Sequence, residues 1–329
     1  MATVQLSNAT FFECELEQTL LDAARRQGIA LEHSCRSGRC GVCKARVLSG
    51  KTNVLKPELS LTEFEVADHY ILTCCRSAET DTRLDIEDLG ELGNIHVKVL
   101  PCRIDGLELL TDDVIEVVLR TPPAAKLEYF AGQYVDIIAK DGLRRSYSIA
   151  NAPKEDGKIS LHIRKVESGK MSRYWYEEAG HNDLLRLEGP LGTFSLRKST
   201  KSNLVLLATG TGIAPVKAML EQLATNPSQN MYDSIHLYWG GRKEQDIYWK
   251  PDFPSLSVSF TPVLSKYASG WRGRMGYVQQ VLLDDQINLK DSVIYACGSE
   301  AMIQSAQELL LKNGLNEKHF YSDAFLSAD

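Results

Sequence analysis

The sequence predicts a multidomain chain of mixed α+β and α/β class in three parts: a small cysteine-bearing domain, an antiparallel β-barrel and a doubly wound parallel sheet. Three observations carry this. Cys35, Cys40 and Cys43 crowd together in the first hundred residues or so. The middle of the chain holds short β-branched runs broken by Pro-Pro and Asp-Gly turns. Further on, a continuous apolar run passes directly into a glycine turn and a helix. At 329 residues the chain exceeds one ordinary core and suits about two or three domains.

The spacing Cys35-x4-Cys40-x2-Cys43, with a fourth candidate in the Cys74-Cys75 pair, matches the plant-type arrangement for a [2Fe–2S] cluster. One loop must wrap a small anionic cluster with three thiolates while a second segment closes the far iron. Gly38 and Gly41 let backbone N–H groups turn inward and tolerate positive φ. A zinc ribbon fits worse, since two short Cys-x2-Cys hooks are needed and Cys74 and Cys75 are adjacent. A disulfide pair or a thioredoxin-like Cys40-x-x-Cys43 leaves the other thiols unexplained. A Rieske site lacks a second His near Cys74 to join His33.

Composition excludes several classes. Hydrophobic residues at 43% and charged residues at 24% describe a folded globular chain. The start Met1-Ala2-Thr3-Val4-Gln5 lacks a basic-then-apolar export pattern and no apolar stretch reaches spanning length, so no membrane is expected. Eight cysteines without an export signal point to a reducing cytoplasm. A net charge of −6 offers no basic excess for phosphates, so no nucleic-acid partner is expected. The acids between Glu79 and Glu91, with Gly90 and Gly93 as brackets, mark the first boundary, giving domains at 1–91, 96–198 and 200–329.

Within the middle block, Val114–Leu119 and Gln133–Ile138 read as strands, with turns at Pro122-Pro123, Asp141-Gly142 and Asp156-Gly157. Arg145-Ser146-Tyr147-Ser148 follows at a strand end. It places a fork of donors, an aromatic face and a hydroxyl in one extended segment, which are the contacts a flavin dinucleotide needs. Taken alone, a Tyr beside a Ser is more often core packing. The next block supplies context. Asn203–Ala208 reads as a central parallel strand, followed by Thr209-Gly210-Thr211-Gly212-Ile213-Ala214-Pro215 and a helix from near Val216. Strand, glycine turn and helix start make a phosphate cradle, and Pro215 suits a first-turn position. Further strands are expected at 235–239, 258–263 and 292–296, with helices near 276–283 and 300–312.

This order of parts resembles the iron–sulfur flavoprotein reductases, in which a plant-type β-grasp ferredoxin is fused to a ferredoxin–NADP reductase-like module of flavin barrel and nicotinamide domain. The resemblance covers essentially the whole chain. It implies an NAD(P)H-dependent oxidoreductase carrying a [2Fe–2S] cluster, FAD and NADH or NADPH, in which electrons run from NAD(P)H to FAD to the cluster and then to a partner protein. Ile71-Leu72-Thr73-Cys74 resembles the segment carrying the fourth cluster ligand, so the implied metal set is Cys35, Cys40, Cys43 and Cys74, with Cys75 as a neighbour. By the same likeness Arg145 holds the FAD pyrophosphate, Tyr147 stacks on the ring and Ser148 lies near its reactive nitrogen. Residues 161–166, with His162, Arg164 and Lys165, would line the flavin. Gly169, Lys170, Met171 and Ser172 would hold its phosphates. Thr209, Gly210, Thr211, Gly212 and Pro215 would form the nicotinamide cradle, with Thr209 standing where the family has a glycine. Cys297-Gly298 matches the family pair whose thiol lies beside the nicotinamide, making Ser148 and Cys297 the implied catalytic residues. Phe325 would cover the flavin, against the plainer reading of a core-edge plug.

Within the family, Glu32–Cys35, Ile71–Cys75, Arg145–Asn151, Glu188–Phe194 and Tyr321–Phe325 carry a closer likeness to reductases that serve 3,6-dideoxyhexose formation for surface polysaccharide. That branch implies a pyridoxamine-phosphate-dependent dehydrase as acceptor; reductases serving an oxygenase component share every cofactor motif. Arg242 and Lys243 suit a 2′-phosphate, whereas Glu244 or Asp246 suits a free ribose hydroxyl, so both nicotinamide cofactors stay open.

Overall fold

A computed structural model describes residues 1–266 and 269–325. The end of the third expected domain, 326–329, lies outside them. Two compact units form: Met1–His96 with Gly192–Phe194, and Val97–Leu191 with Ser195–Phe325.

The first unit holds strands β1 (Ala2–Gln5), β2 (Phe11–Cys14), β3 (Lys44–Ser49), β4 (Thr52–Val54), β5 (Tyr70–Leu72), β6 (Arg76–Ala78) and β7 (Thr82–Leu84). Five of them form a sheet in the order β2-β1-β7-β3-β5, and β4 pairs with β6. Helix α1 (Leu20–Arg26) buries Leu20, Leu21, Ala23 and Ala24 in a core shared with Val4, Phe12, Leu72 and Leu84. Its start is fixed by Thr19, whose hydroxyl accepts from the Asp22 N–H at 3.1 Å, a cap contributing about 1 kcal/mol. Helix α2 (Glu63–Ala67) opens on a reciprocal cap between Thr62 and Glu65 and buries no residue.

The acidic stretch is part of this unit. β7 lies inside it, between β1 and β3, and the acids serve the sheet margins: Asp81 accepts from Thr3 N–H at 2.9 Å and Asp88 from Ala30 N–H at 3.0 Å. Gly93 packs so closely that a Cβ there would stand 2.2 Å from the Gly28 carbonyl oxygen.

The second unit begins with six antiparallel strands, β8 (Lys98–Thr111), β9 (Val114–Arg120), β10 (Tyr134–Ile138), β11 (Arg144–Ser148), β12 (Lys158–Arg164) and β13 (Leu184–Leu191). They run in the order β11-β10-β13-β8-β9-β12, and an Ile149–Leu161 bridge joins the two ends into a barrel. Alternation drives this: Val117 and Leu119 on β9 and Val135 and Ile137 on β10 are fully buried while their neighbours are not. A short helix α3 (Lys170–Arg173) and a wide turn, Tyr174–Glu178, bring Trp175 into the barrel core.

The remaining strands are β14 (Asn203–Thr209), β15 (Ser234–Gly241), β16 (Ser259–Leu264), β17 (Arg274–Met275), β18 (Ser292–Ser299) and β19 (Phe320–Phe325), all parallel, in the order β17-β16-β15-β14-β18-β19. Helices α4 (Ile213–Thr225), α5 (Val278–Asp284) and α6 (Glu300–Lys312) connect them. Strand order reverses between β14 and β18, so a crevice opens at their C-terminal ends. Leu204 to Ala208 are 0% exposed, which explains why β14 reads as an unbroken apolar run. α4 begins at Ile213, three residues before the expected Val216, because Gly210–Gly212 forms a tight turn leading straight into it. Pro215 therefore sits in the first turn, where its missing N–H leaves no carbonyl unpaired. No helix among the described residues is long and apolar enough to cross a membrane.

Leu207→Ala on β14 removes a side chain sandwiched between layers and is expected to cost about 2–5 kcal/mol. Urea unfolding checks this: a lowered midpoint is expected, and a loss under about 1 kcal/mol would contradict full burial there.

Candidate functional site

In the first unit the antiparallel register of β3 and β5, with Lys44 opposite Leu72, brings the chain at Cys43 beside the chain at Cys74. Thr73 fastens the join: its N–H and its hydroxyl both donate to the Cys43 carbonyl, at 3.0 and 3.2 Å. Cys43 Sγ and Cys74 Sγ are 3.3 Å apart, and Cys35 and Cys40 share a hydrogen bond of their own. Two thiolates on one tetrahedral metal with bonds of about 2.3 Å stand roughly 3.8 Å apart, so each pair suits one metal. Among the described residues no set of three or more such groups gathers about a single point, and two pairs are what a two-iron cluster takes.

The loop between them is shaped for an anion. Gly38 and Gly41 have φ of +76° and +74°. At Gly38 a Cβ would meet the Pro57 carbonyl oxygen at 2.3 Å and Cys75 Sγ at 2.8 Å. Backbone N–H groups reach the sulfurs, Ser37 to Cys35 at 3.4 Å and Gly38 to Cys74. Within each pair one thiol is held below the usual range by the bond it accepts, Cys35 from Cys40 and Cys74 from Cys43. Cys40 and Cys43 move up correspondingly. Cys75 differs. Burial and the neighbouring Cys74 charge hold it up at about 12, and its Sγ faces the Pro57 carbonyl at 3.5 Å.

In the second unit, strand alternation puts Arg145 and Tyr147 on one face of β11 and Ser148, buried, on the other. The Tyr147 hydroxyl accepts from Trp175 Nε1 at 3.1 Å, and the two rings meet edge to face at 6.3 Å. Arg145 Nη1 donates to the Arg144 carbonyl. A cavity of about 980 Å³ is lined by Lys165, Gly169, Lys170, Met171, Ser172 and Tyr174, among others. Its floor is held by Ser172, whose hydroxyl accepts from the Val166 N–H at 2.9 Å. That volume suits a ligand of dinucleotide size, and the lysines share the wall with Asp141, Glu167, Glu177, Glu178 and Asp183.

A second cavity, about 580 Å³, opens at the strand-order reversal, with Arg164, Thr209, Gly210, Thr211, Ser299 and Phe325 in its wall. Its making requires glycine. At Gly212 a Cβ would lie 2.2 Å from the Cys297 carbonyl oxygen, and at Gly298, with φ +152°, 2.1 Å from Thr209 Oγ1. Thr209, where the family has glycine, fits because Gly298 leaves room for its hydroxyl and Gly240 for its methyl; a Cβ at Gly240 would be 3.0 Å from Thr209 Cγ2. Three buried polar atoms in this wall lack a partner: Arg164 Nη2, Asp246 Oδ1 and Gln279 Oε1. Unpaired buried donors and acceptors are costly, so a polar ligand belongs here.

Not every expected residue lies where the flavin reading puts it. Arg164 and Phe325 wall the nucleotide cavity. His162 is buried against Tyr248 and Glu116, with Tyr248 hydroxyl 3.2 Å from His162 Nδ1. Cys297 is wholly buried, and burial together with the Asp323 charge keeps its thiol protonated. Asp246 uses Oδ2 to accept from Arg242 and Lys243 N–H groups at 2.7 and 3.2 Å, so its role is partly to shape that loop. Gln279, Tyr248 and Trp239 carry no sequence signal that separates them from core residues.

Comparison with known proteins finds three matching domains along the chain. Residues 4–79 match the 2Fe-2S iron-sulfur cluster binding domain, 101–196 the oxidoreductase FAD-binding domain and 206–308 the oxidoreductase NAD-binding domain. The chain is 42% identical over 321 residues to CDP-6-deoxy-L-threo-D-glycero-4-hexulose-3-dehydrase reductase of Yersinia pestis, covering 96% of this chain and 95% of that protein. It is 31% identical to terephthalate 1,2-dioxygenase reductase component 1 of Comamonas sp, over 96% of this chain and 95% of that one. The crystal structure of the Amycolatopsis cytochrome P450 reductase GcoB superposes with a TM-score of 0.77 at 27% identity, covering 100% of each chain.

Gly212→Ala is expected to weaken NAD(P)H binding about tenfold or more while FAD absorbance stays normal, because the added methyl drives the glycine turn off Cys297. Titration of the purified variant checks it, and unchanged affinity would show that the turn is not the cradle.

Proposed function

The chain belongs to the ferredoxin-fused iron–sulfur flavoprotein reductases, and on that premise we propose that it feeds electrons to a CDP-6-deoxy-4-hexulose 3-dehydrase, a pyridoxamine-phosphate-dependent enzyme of 3,6-dideoxyhexose synthesis. It is an NAD(P)H oxidoreductase with a [2Fe–2S] cluster, FAD and a nicotinamide dinucleotide as cofactors. When bound, FAD exchanges a hydride on one side and single electrons on the other, which is what links a nicotinamide to an iron–sulfur cluster.

In this reading the segments 1–91, 96–198 and 200–329 act as cluster, flavin and nicotinamide domains, in the cytoplasm. Cys35 and Cys40 hold one iron, Cys43 and Cys74 the other, and Cys75 remains a protonated neighbour. Arg145 and the Gly169–Ser172 turn bind the flavin phosphates, Tyr147 offers its ring, held in orientation by Trp175, and Ser148 offers a hydroxyl. The Thr209–Gly212 turn, Pro215 and Gly298 shape the nicotinamide cradle, and Arg164 supplies it with a guanidinium from the barrel side. Cys297, wholly buried behind the cavity, sets its backbone carbonyl against Gly212. Lys165, Lys170 and Met171 complete the flavin side; Phe325 closes the nicotinamide side.

The observation that carries the choice of acceptor is the 42% identity, running nearly end to end, with a reductase of that dehydrase. The 31% identity with a dioxygenase reductase component supports the second reading, in which an oxygenase component is the acceptor. Combining the purified protein with NADH or NADPH, a 3-dehydrase and its CDP-sugar separates them. Sugar deoxygenation that depends on this chain is expected. A protein that is reduced by nicotinamide but cannot pass electrons to the dehydrase, while it supports a ring-hydroxylating oxygenase, would overturn the dehydrase assignment.

A further inference from the structure

Two side chains on one face of β12 reach the nicotinamide turn by different routes. Arg164 goes directly: a Cβ on Gly210 would lie 3.5 Å from its Nη2. His162, two residues earlier, goes through aromatic rings. Its Nδ1 is 3.2 Å from the Tyr248 hydroxyl, and the rings meet edge to face at 5.5 Å. Tyr248 in turn stands nearly perpendicular to Trp239, 87° at 5.0 Å, and Trp239 Nε1 donates to the Gly210 carbonyl at 3.0 Å. The contacts close on themselves: β12, His162, Tyr248, Trp239, Gly210, Arg164 and back to β12.

The polar members of this ring have defined roles. The Tyr248 hydroxyl and His162 Nδ1 share one hydrogen bond, whose direction follows the imidazole tautomer. Nε2 faces Glu116 Oε1 at 3.8 Å, beyond hydrogen-bond length, and burial lowers the imidazole pKa, so the neutral ring forms no ion pair with the carboxylate. Glu116 is itself held by the Ser160 hydroxyl on β12. His162 and Trp239 are buried, and Trp239 is 0% exposed, so neither has room to rotate away. Tyr248 and Trp239 line neither of the two cavities, and their effect is to fix Gly210 relative to β12.

Resting on the reductase reading above, we infer that Tyr248 and Trp239 are positioning residues, which hold the nicotinamide turn in register with the barrel strand so that hydride passes from NAD(P)H to FAD in one geometry. Hydride transfer is sensitive to that register, since a displacement of about 1 Å can cost about 100-fold in rate.

Tyr248→Phe keeps the ring and removes the hydrogen bond to His162; Trp239→Phe keeps an aromatic core and removes the donor to Gly210. In FAD-loaded protein mixed anaerobically with NADH or NADPH, each variant is expected to slow flavin reduction by about 10- to 100-fold, with the KM for the nicotinamide moving less than about threefold. Hydrogen exchange of the peptide spanning 209–213 is expected to quicken in both. The double variant is expected to be about as slow as the slower single one, because both cuts open the same ring. Wild-type rates in Tyr248→Phe, or effects that simply add, would overturn the inference while leaving the reductase reading intact. A wild-type protein that binds FAD but accepts no electrons from either nicotinamide would overturn that reading, and the inference with it.

Discussion

Where the central parallel strands end, their backbones come together more closely than any side chain permits. Gly212 lies against the Cys297 carbonyl and Gly298 against Thr209, each with space for hydrogen alone. The rest of the nucleotide site follows from that approach. It brings the first turn of α4 beneath the crevice and presents backbone N–H groups where a pyrophosphate would lie. It also leaves Arg164, Asp246 and Gln279 around a polar space that the chain does not fill. Thr209 shows the same constraint from the other side: a larger residue has entered the cradle because two neighbouring glycines give way to it.

The iron–sulfur loop obeys a related rule by different means. Strand pairing sets which thiols meet, since one register between β3 and β5 brings Cys43 and Cys74 together. Glycines with positive φ then let the loop fold back so that N–H groups face sulfur. A shift of one residue in that pairing would turn Cys43 to the opposite face. The cluster site is thus as dependent on ordinary sheet hydrogen bonds as on the cysteines themselves.

Patterns confined to a short stretch were legible in the sequence. The cysteine spacing, the Arg-x-Tyr-Ser strand and the apolar run ending in glycines each express a local requirement, and each lies on the element expected of it. Elements whose pattern is interrupted were not. β8 runs for 14 residues, yet Pro101 speaks against a strand although it sits on the exposed face, and the alternation stops at Asp105-Gly106, where the register shifts. β13 contains Gly189-Pro190, which reads as a turn. His162 and Arg164 lie on β12, where alternation says only that they share a face. Which partner that face meets depends on Tyr248 and Trp239, roughly eighty residues away in sequence, and no local pattern carries such information.

If electrons enter at the nucleotide cavity and leave through the paired-thiol loop, the order in which the two redox groups respond to nicotinamide shows it most directly. Anaerobic rapid mixing of the loaded protein with NADH or NADPH, following flavin and cluster absorbance separately, resolves that order. The flavin signal is expected to change first, with the cluster signal following at the rate of electron passage, and in Cys40→Ser the flavin phase is expected to survive alone. Cluster reduction that precedes the flavin phase, or that proceeds in protein stripped of FAD, would contradict the account.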